Sequence, residues 1–160
     1  MEFELIFKDE FEKSCNTQTD INQHLPTLYE YAKKCNHITE MGVRDGQSTR
    51  AFLYSNPEKL LCYDLYIDSK VNDLFDLAKT NNKKYDYIEA DTRDIEIEPT
   101  ELRFIDTLHK YEQLKVELSL HANKVSKYII FHDTETFGIH GQQPNVDFGY
   151  EGKGIWYAIQ

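Results

Sequence analysis

The chain has 160 residues, 40% of them hydrophobic and 29% charged, with 7 Gly and 4 Pro. That composition is globular and excludes collagen-like, low-complexity and wholly disordered chains, and the length suits one domain. Eighteen Lys and Arg against 28 Asp and Glu leave a net charge of -10. This disfavours tight duplex binding, which needs clustered cations to displace counterions, and suits a small-molecule site.

The expected organisation is a helical cap over residues 1–36 and an α/β core over 37–160, together a single domain. The first 20 residues are mixed in character and read as peripheral. Their start is interrupted by charge and does not resemble a signal peptide. No apolar run approaches the ~20 residues of a membrane span. Asp20 reads as an N-cap, followed by Ile21, Leu25, Leu28, Ala32 and Cys35 at helical spacing, with Pro26 starting or kinking the helix. Cys15, Cys35 and Cys62 are unpatterned, which points to reduced thiols and a cytoplasmic location.

From Asn36 onward, strands and helices alternate. Strands are expected at 37–41, 59–65, 85–90, 102–105 and 128–131, and helices at 48–54, 71–79 and 111–122. A polar connection with Glu96, Glu98 and Pro99 stands between the third and fourth strands. The nearly continuous apolar run Leu60, Leu61, Cys62 and Tyr63 suits a parallel strand buried on both faces. Right-handed crossovers then give a Rossmann-like α/β/α sandwich around a mainly parallel sheet, with ligands at the carboxyl ends of the strands.

Acids stand at those ends. Glu40 is followed by Gly42 and Gly46, a turn able to bring backbone close to a ligand, and Gln47 to Thr49 open a helix whose free N–H groups can receive a carboxylate. The G-x-x-x-G spacing differs from the dinucleotide fingerprint and is also compatible with a purely structural turn. Asp64 can accept ribose hydroxyls or be a solvated loop residue. Asp91 can meet an adenine amino group or cap a turn. The fourth strand leads to Asp106 and His109, the fifth to His132 and Asp133. Such a negative cleft favours a cationic ligand or a divalent metal.

Residues 39–49, Phe104 to Glu112 and Tyr128 to Gly138, in that order, resemble class I S-adenosylmethionine-dependent methyltransferases over roughly Asp20 to Gln160. The last two segments are similar to the cephalosporin hydroxylase-like and macrolide-sugar O-methyltransferase branch. The resemblance implies that Glu40, Gly42 and Gly46 shape the methionine end of the cofactor pocket, with Ser48 near the carboxylate. It implies Asp64 on the ribose, Asp91 beside the adenine, Asp106 and Asp133 as carboxylates for a metal such as Mg²⁺, and His109 as base. Against these roles stand caps for the two aspartates, a helix-start His109 packed on Tyr111, and a His132 fixed by a backbone hydrogen bond.

The family's last two strands have no counterpart before Gln160. A shortened sheet with an exposed fifth strand is therefore expected, together with a homo-oligomer through that edge. The expected activity is O-methylation of a small hydroxylated substrate such as a sugar, with no nucleic-acid or membrane partner. The alternative is a truncated, weakly active or inactive module that binds cofactor or a partner. A nicotinamide oxidoreductase is disfavoured by the glycine spacing. Substrate selection is expected from the N-terminal helix and the loop from Gly138 to Gly154.

Overall fold

The computed structural model describes residues 2–142 and 152–160. Strands β1 (His37–Met41), β2 (Lys59–Asp64), β3 (Lys84–Glu89), β4 (Thr100–Ile105) and β5 (Val125–Phe131) form one sheet, ordered β3-β2-β1-β4-β5, with every pairing parallel. Helices α3 (Gln47–Ser55), α4 (Ser69–Thr80) and α5 (Tyr111–His121) supply three of the four crossovers. The fourth, from β3 to β4, is irregular and buries Ile97 against the sheet.

One face of the sheet packs against α1 (Glu2–Asn16), α2 (Leu25–Ala32), α3 and α4 through Phe7, Leu25, Phe52 and Phe75. The other meets α5 and the short α6 (Trp156–Ile159) through Leu114 and Ile155. Strand alternation divides the residues accordingly: Leu102 and Phe104 face the first layer, Ile105 the second. The expected α/β/α sandwich is present. The order of connection reverses at β1, which lies between β2 and β4, so a crevice opens where their carboxyl ends part.

Two expectations are corrected here. The first 20 residues are not peripheral: α1 repeats Phe3, Phe7 and Phe11 every fourth position, and Phe7 and Phe11 are buried. Phe11 joins Tyr29 and Tyr54 in an aromatic cluster, with ring centroids 4.7–5.2 Å apart. Nor does Asp20 cap a helix. A short 3₁₀ turn (Asn22–His24) precedes α2, which begins with His24 at its cap and Pro26 in its first turn. Proline fits there because the N–H it lacks would have no helical partner.

Candidate active site

A cavity of about 560 Å³ occupies the crevice. Its walls come from four strand ends: Gly42 after β1, Asp64 of β2, Asp91 after β3, and Asp106 after β4, with Asp133 after β5 closing one side. Gly42 has φ +86°, and a Cβ there would lie 2.2 Å from the Asp106 carbonyl oxygen. Only glycine lets β1 turn this close beneath β4. The turn is tied down on both sides, because Gly42 N–H donates to the Tyr63 carbonyl at 2.9 Å and Asp106 N–H to the Met41 carbonyl at 2.8 Å.

Asp64 folds its carboxylate over the glycine turn. One oxygen accepts from the N–H groups of Val43 (2.7 Å) and Arg44 (2.8 Å), the other from Leu65 N–H (2.6 Å). Asp91 lines the same cavity and is gripped by Arg93, through its backbone N–H at 2.9 Å and its guanidinium at 2.5 Å. The Arg93 hydrogen bonds hold its carboxyl below the ordinary value.

Glu40, Gly46 and Ser48 stand behind the wall and do not line the cavity. The Glu40 side chain is fully buried. It accepts from Ser48 Oγ at 2.5 Å, Thr49 Oγ1 at 2.7 Å and Cys62 Sγ at 3.0 Å, pinning the start of α3 to β1 and β2. Burial pushes its carboxyl up to about 7 against the pull of those donors. Gly46 caps α3 at φ +73°, where a Cβ would strike Val71 of α4 at 2.6 Å. Its lack of a side chain therefore serves helix packing.

The opposite end of the cavity gathers four side chains. Asp106, His109, His132 and Asp133 each offer one ligand atom, and all four atoms lie within 4.8 Å of one another. His109 Nε2 is 3.0 Å and His132 Nδ1 3.2 Å from the same Asp106 oxygen, while Asp133 stands 3.6 Å and 3.5 Å from the two rings. Burial opposes ionisation of Asp106, yet the hydrogen bonds from both histidines hold its carboxyl well below the usual carboxylate range. For His132, burial opposes the imidazolium, but Asp106 more than offsets it and raises its pKa. Asp133 reaches the group from a left-handed backbone, φ 54°, a conformation that aspartate tolerates better than most residues. His109 stacks on Phe137 (ring centroids 5.0 Å, planes 19° apart) rather than on Tyr111, and its Nδ1 lies 3.2 Å from Gln142 Oε1.

The structure thus brings Gly42, Asp64, Asp91, Asp106, His109 and Asp133 around one space. His132 lines the neighbouring groove and reaches this group by bonding to the Asp106 side chain, in place of the backbone hydrogen bond expected to fix its ring. The adjacent pair His132–Asp133 was the available signal, because their shared position just beyond β5 sets both beside Asp106. Arg44, Thr107 and Gln113 also line the cavity; the first two lie within the resembling segments but carry no assigned role, and Gln113 falls just beyond them. A buried network supports that wall: Glu117 of α5 accepts from Thr92 (2.5 Å), Gln113 (2.7 Å) and Thr107 (2.9 Å). Of the loop from Gly138 to Gly154, residues 143–151 lie outside the described residues.

No family model and no curated protein matches the sequence. Among solved structures, the chain is similar to the SAH-bound methyltransferase PaMTH1 of Podospora anserina, with TM-score 0.54 and 16% identity over 79% of this chain and 61% of that one. It is also similar to Trm5b of Pyrococcus abyssi, with TM-score 0.50 and 16% identity over 71% of this chain and 33% of that one. The chain spans less than two-thirds of either length. These likenesses define the class of fold: a Rossmann-like α/β sandwich shared with solved methyltransferases. Among the described residues, no helix is long and apolar enough to cross a membrane.

Proposed function

We propose that the chain is an S-adenosylmethionine-dependent methyltransferase acting on a small hydroxylated acceptor. One observation carries this reading. A single cavity at the sheet's reversal point joins a glycine turn and two strand-end aspartates at one end to a carboxylate–imidazole cluster at the other. Asp64 would hold the ribose and Asp91 the adenine side, while Gly42 leaves room for close backbone approach. Bound there, the cofactor supplies a methyl group to the acceptor oxygen; a C–O bond forms, the C–S electron pair stays on sulfur, and the acceptor loses its proton.

The chain's residues align the acceptor and manage that proton. His109 is the base in this reading: Phe137 and Gln142 fix its ring with the proton on Nδ1, Nε2 takes the acceptor's proton, and Asp106 beside Nε2 steadies the imidazolium that forms. Alignment of acceptor and donor supplies much of the rate. Asp106 and Asp133 remain candidates for metal ligands, but Mg²⁺ fits the group poorly. Mg²⁺ prefers oxygen, whereas two of the four gathered donors are imidazole nitrogens, a set suited to zinc, manganese or iron. We also retain self-association through the outer edge of β5, testable by light scattering, and a reducing cytoplasmic setting for the free cysteines.

Isothermal titration with S-adenosylhomocysteine and, separately, NAD⁺ tests the reading. Saturable heat with the first alone supports it, and the reverse preference defeats it. Consumption of methyl donor then separates an enzyme from a binding module.

A further inference from the structure

A second cavity, about 730 Å³, lies beside the first, between α2 and the outer part of the sheet. Its floor includes Phe104 of β4 and, at alternate positions of β5, Tyr128 and Ile130. Its wall is one stripe of α2 and the residue before it: His24, Thr27, Leu28 and Tyr31, spaced i, i+3, i+4 and i+7. Such a stripe normally closes onto a sheet. Here Leu28 is buried, but His24, Thr27 and Tyr31 stay exposed and Tyr128 and Ile130 only half-buried. Ring contacts bridge helix and strand at both ends: Tyr31 meets Tyr128 at 5.0 Å, and His24 meets His132 at 5.9 Å.

The two cavities share Asp20 and Asp133 in their linings. His132 stands in the wall between them, since it lines the second and bonds to Asp106 of the first. The groove therefore adjoins the Asp106–His109 group through His132 and Asp133. The lining has a distinct chemistry. Its body is aromatic and aliphatic, its lining carries the acids Asp20, Asp133 and Glu135 and the imidazoles of His24 and His132, and no Lys or Arg lines it among the described residues. Asp20 pairs with the exposed Arg44 at 3.4 Å and Asp133 faces the His109 and His132 rings at 3.6 Å and 3.5 Å.

We infer that this groove is the acceptor subsite and that it takes a flat, aromatic, hydroxyl-bearing molecule without an anionic group. The inference rests on the methyltransferase reading and deepens it. An aromatic ring gains most from a floor of Phe104, Tyr128 and Ile130. A phosphate or carboxylate would meet three acids and no Lys or Arg, with the His132 ring already bonded to Asp106, whereas an amine meets favourable charge. The same lining disfavours nucleic-acid acceptors, whose phosphates require basic contacts.

The test uses three matched probes: tyramine, para-ethylphenol and para-hydroxyphenylacetate, which are cationic, neutral and anionic. Each is titrated into the full isotope-labelled chain by NMR, with S-adenosylhomocysteine binding measured separately by calorimetry. Tyramine and para-ethylphenol are expected to shift the signals of Tyr31, Tyr128 and Ile130, and to bind at least about tenfold more tightly than the anion. Thr27→Arg, on the exposed stripe of α2, should abolish those shifts and leave S-adenosylhomocysteine affinity unchanged. Equal binding of the anion, shifts confined to the first cavity, or no shift despite intact S-adenosylhomocysteine binding would each overturn the inference. So would a dimer that protects Tyr31 and Tyr128 and excludes the probes, since a second copy would then fill the groove. Failure of S-adenosylhomocysteine to bind while the phenols still do would instead refute the methyltransferase reading, and the acceptor role with it.

Discussion

Replacing Glu40 with glutamine tests the reasoning about the buried wall behind the cavity. The carboxyl is fully buried, and its pKa rises from 4.5 to about 7. The native state therefore keeps a proton that the unfolded chain releases at lower pH, and between these values the native state binds more protons. Stability from this group is present in full below pH 4.5 and is lost as pH rises through 7. Integrating the proton difference from pH 5 to pH 8 gives a loss of about 2.5 kcal/mol. Glutamine is nearly the same shape, and the Ser48, Thr49 and Cys62 groups can rotate to suit an amide. Urea unfolding of both proteins at several pH values isolates the contribution of Glu40, because other titrating groups remain in each. Wild type should lose about 2.5 kcal/mol relative to Glu40→Gln over that range. Parallel pH profiles would refute the reasoning, since they would mean that the carboxyl is hydrated or titrates normally.

Three further perturbations probe separate parts of the fold. Gly42→Ala places a Cβ against the Asp106 carbonyl at positive φ and should cost at least about 2 kcal/mol, read as a lowered urea midpoint. Phe7→Ala removes a buried ring that docks α1 and should cost about 3 kcal/mol or more by the same assay; an unchanged midpoint would mean that α1 is dispensable. Glu117→Ala strips the acceptor shared by Thr92, Gln113 and Thr107, and leaves the buried Arg103 without its nearby charge. A loss of about 3 kcal/mol is expected, together with weakened S-adenosylhomocysteine binding measured by calorimetry.

Much of the sheet was legible because its strands are short apolar runs separated by amphipathic helices. The strand from His37 to Met41 was found with its observed bounds. Strands β4 and β5 extend two and three residues further upstream than their apolar runs suggest, because hydrogen bonding to a neighbouring strand continues past the hydrophobic pattern. Helix α1 was missed because its Phe3, Phe7 and Phe11 stripe is thin and set among charges. Asp64, Asp91, Asp106 and Asp133, to which the strand-end rule points, all line the cavity. The rule could not place the Glu40 carboxylate, since strand alternation decides whether a terminal residue faces the crevice or the packed layer. The second groove was not legible as a cavity, although part of its lining falls in the segment from Tyr128 to Gly138. It depends on how closely α2 approaches β5, a packing distance that periodicity does not encode.

Calorimetric titration of wild type and Asp64→Asn with S-adenosylhomocysteine tests the central claim most directly. Wild type should bind at a single site. The variant should remain folded by circular dichroism and bind at least about tenfold more weakly, because its side-chain amide turns a donor toward the Val43 and Arg44 N–H groups or toward the ribose. Absence of binding by wild type, or equal binding by the folded variant, would contradict the account.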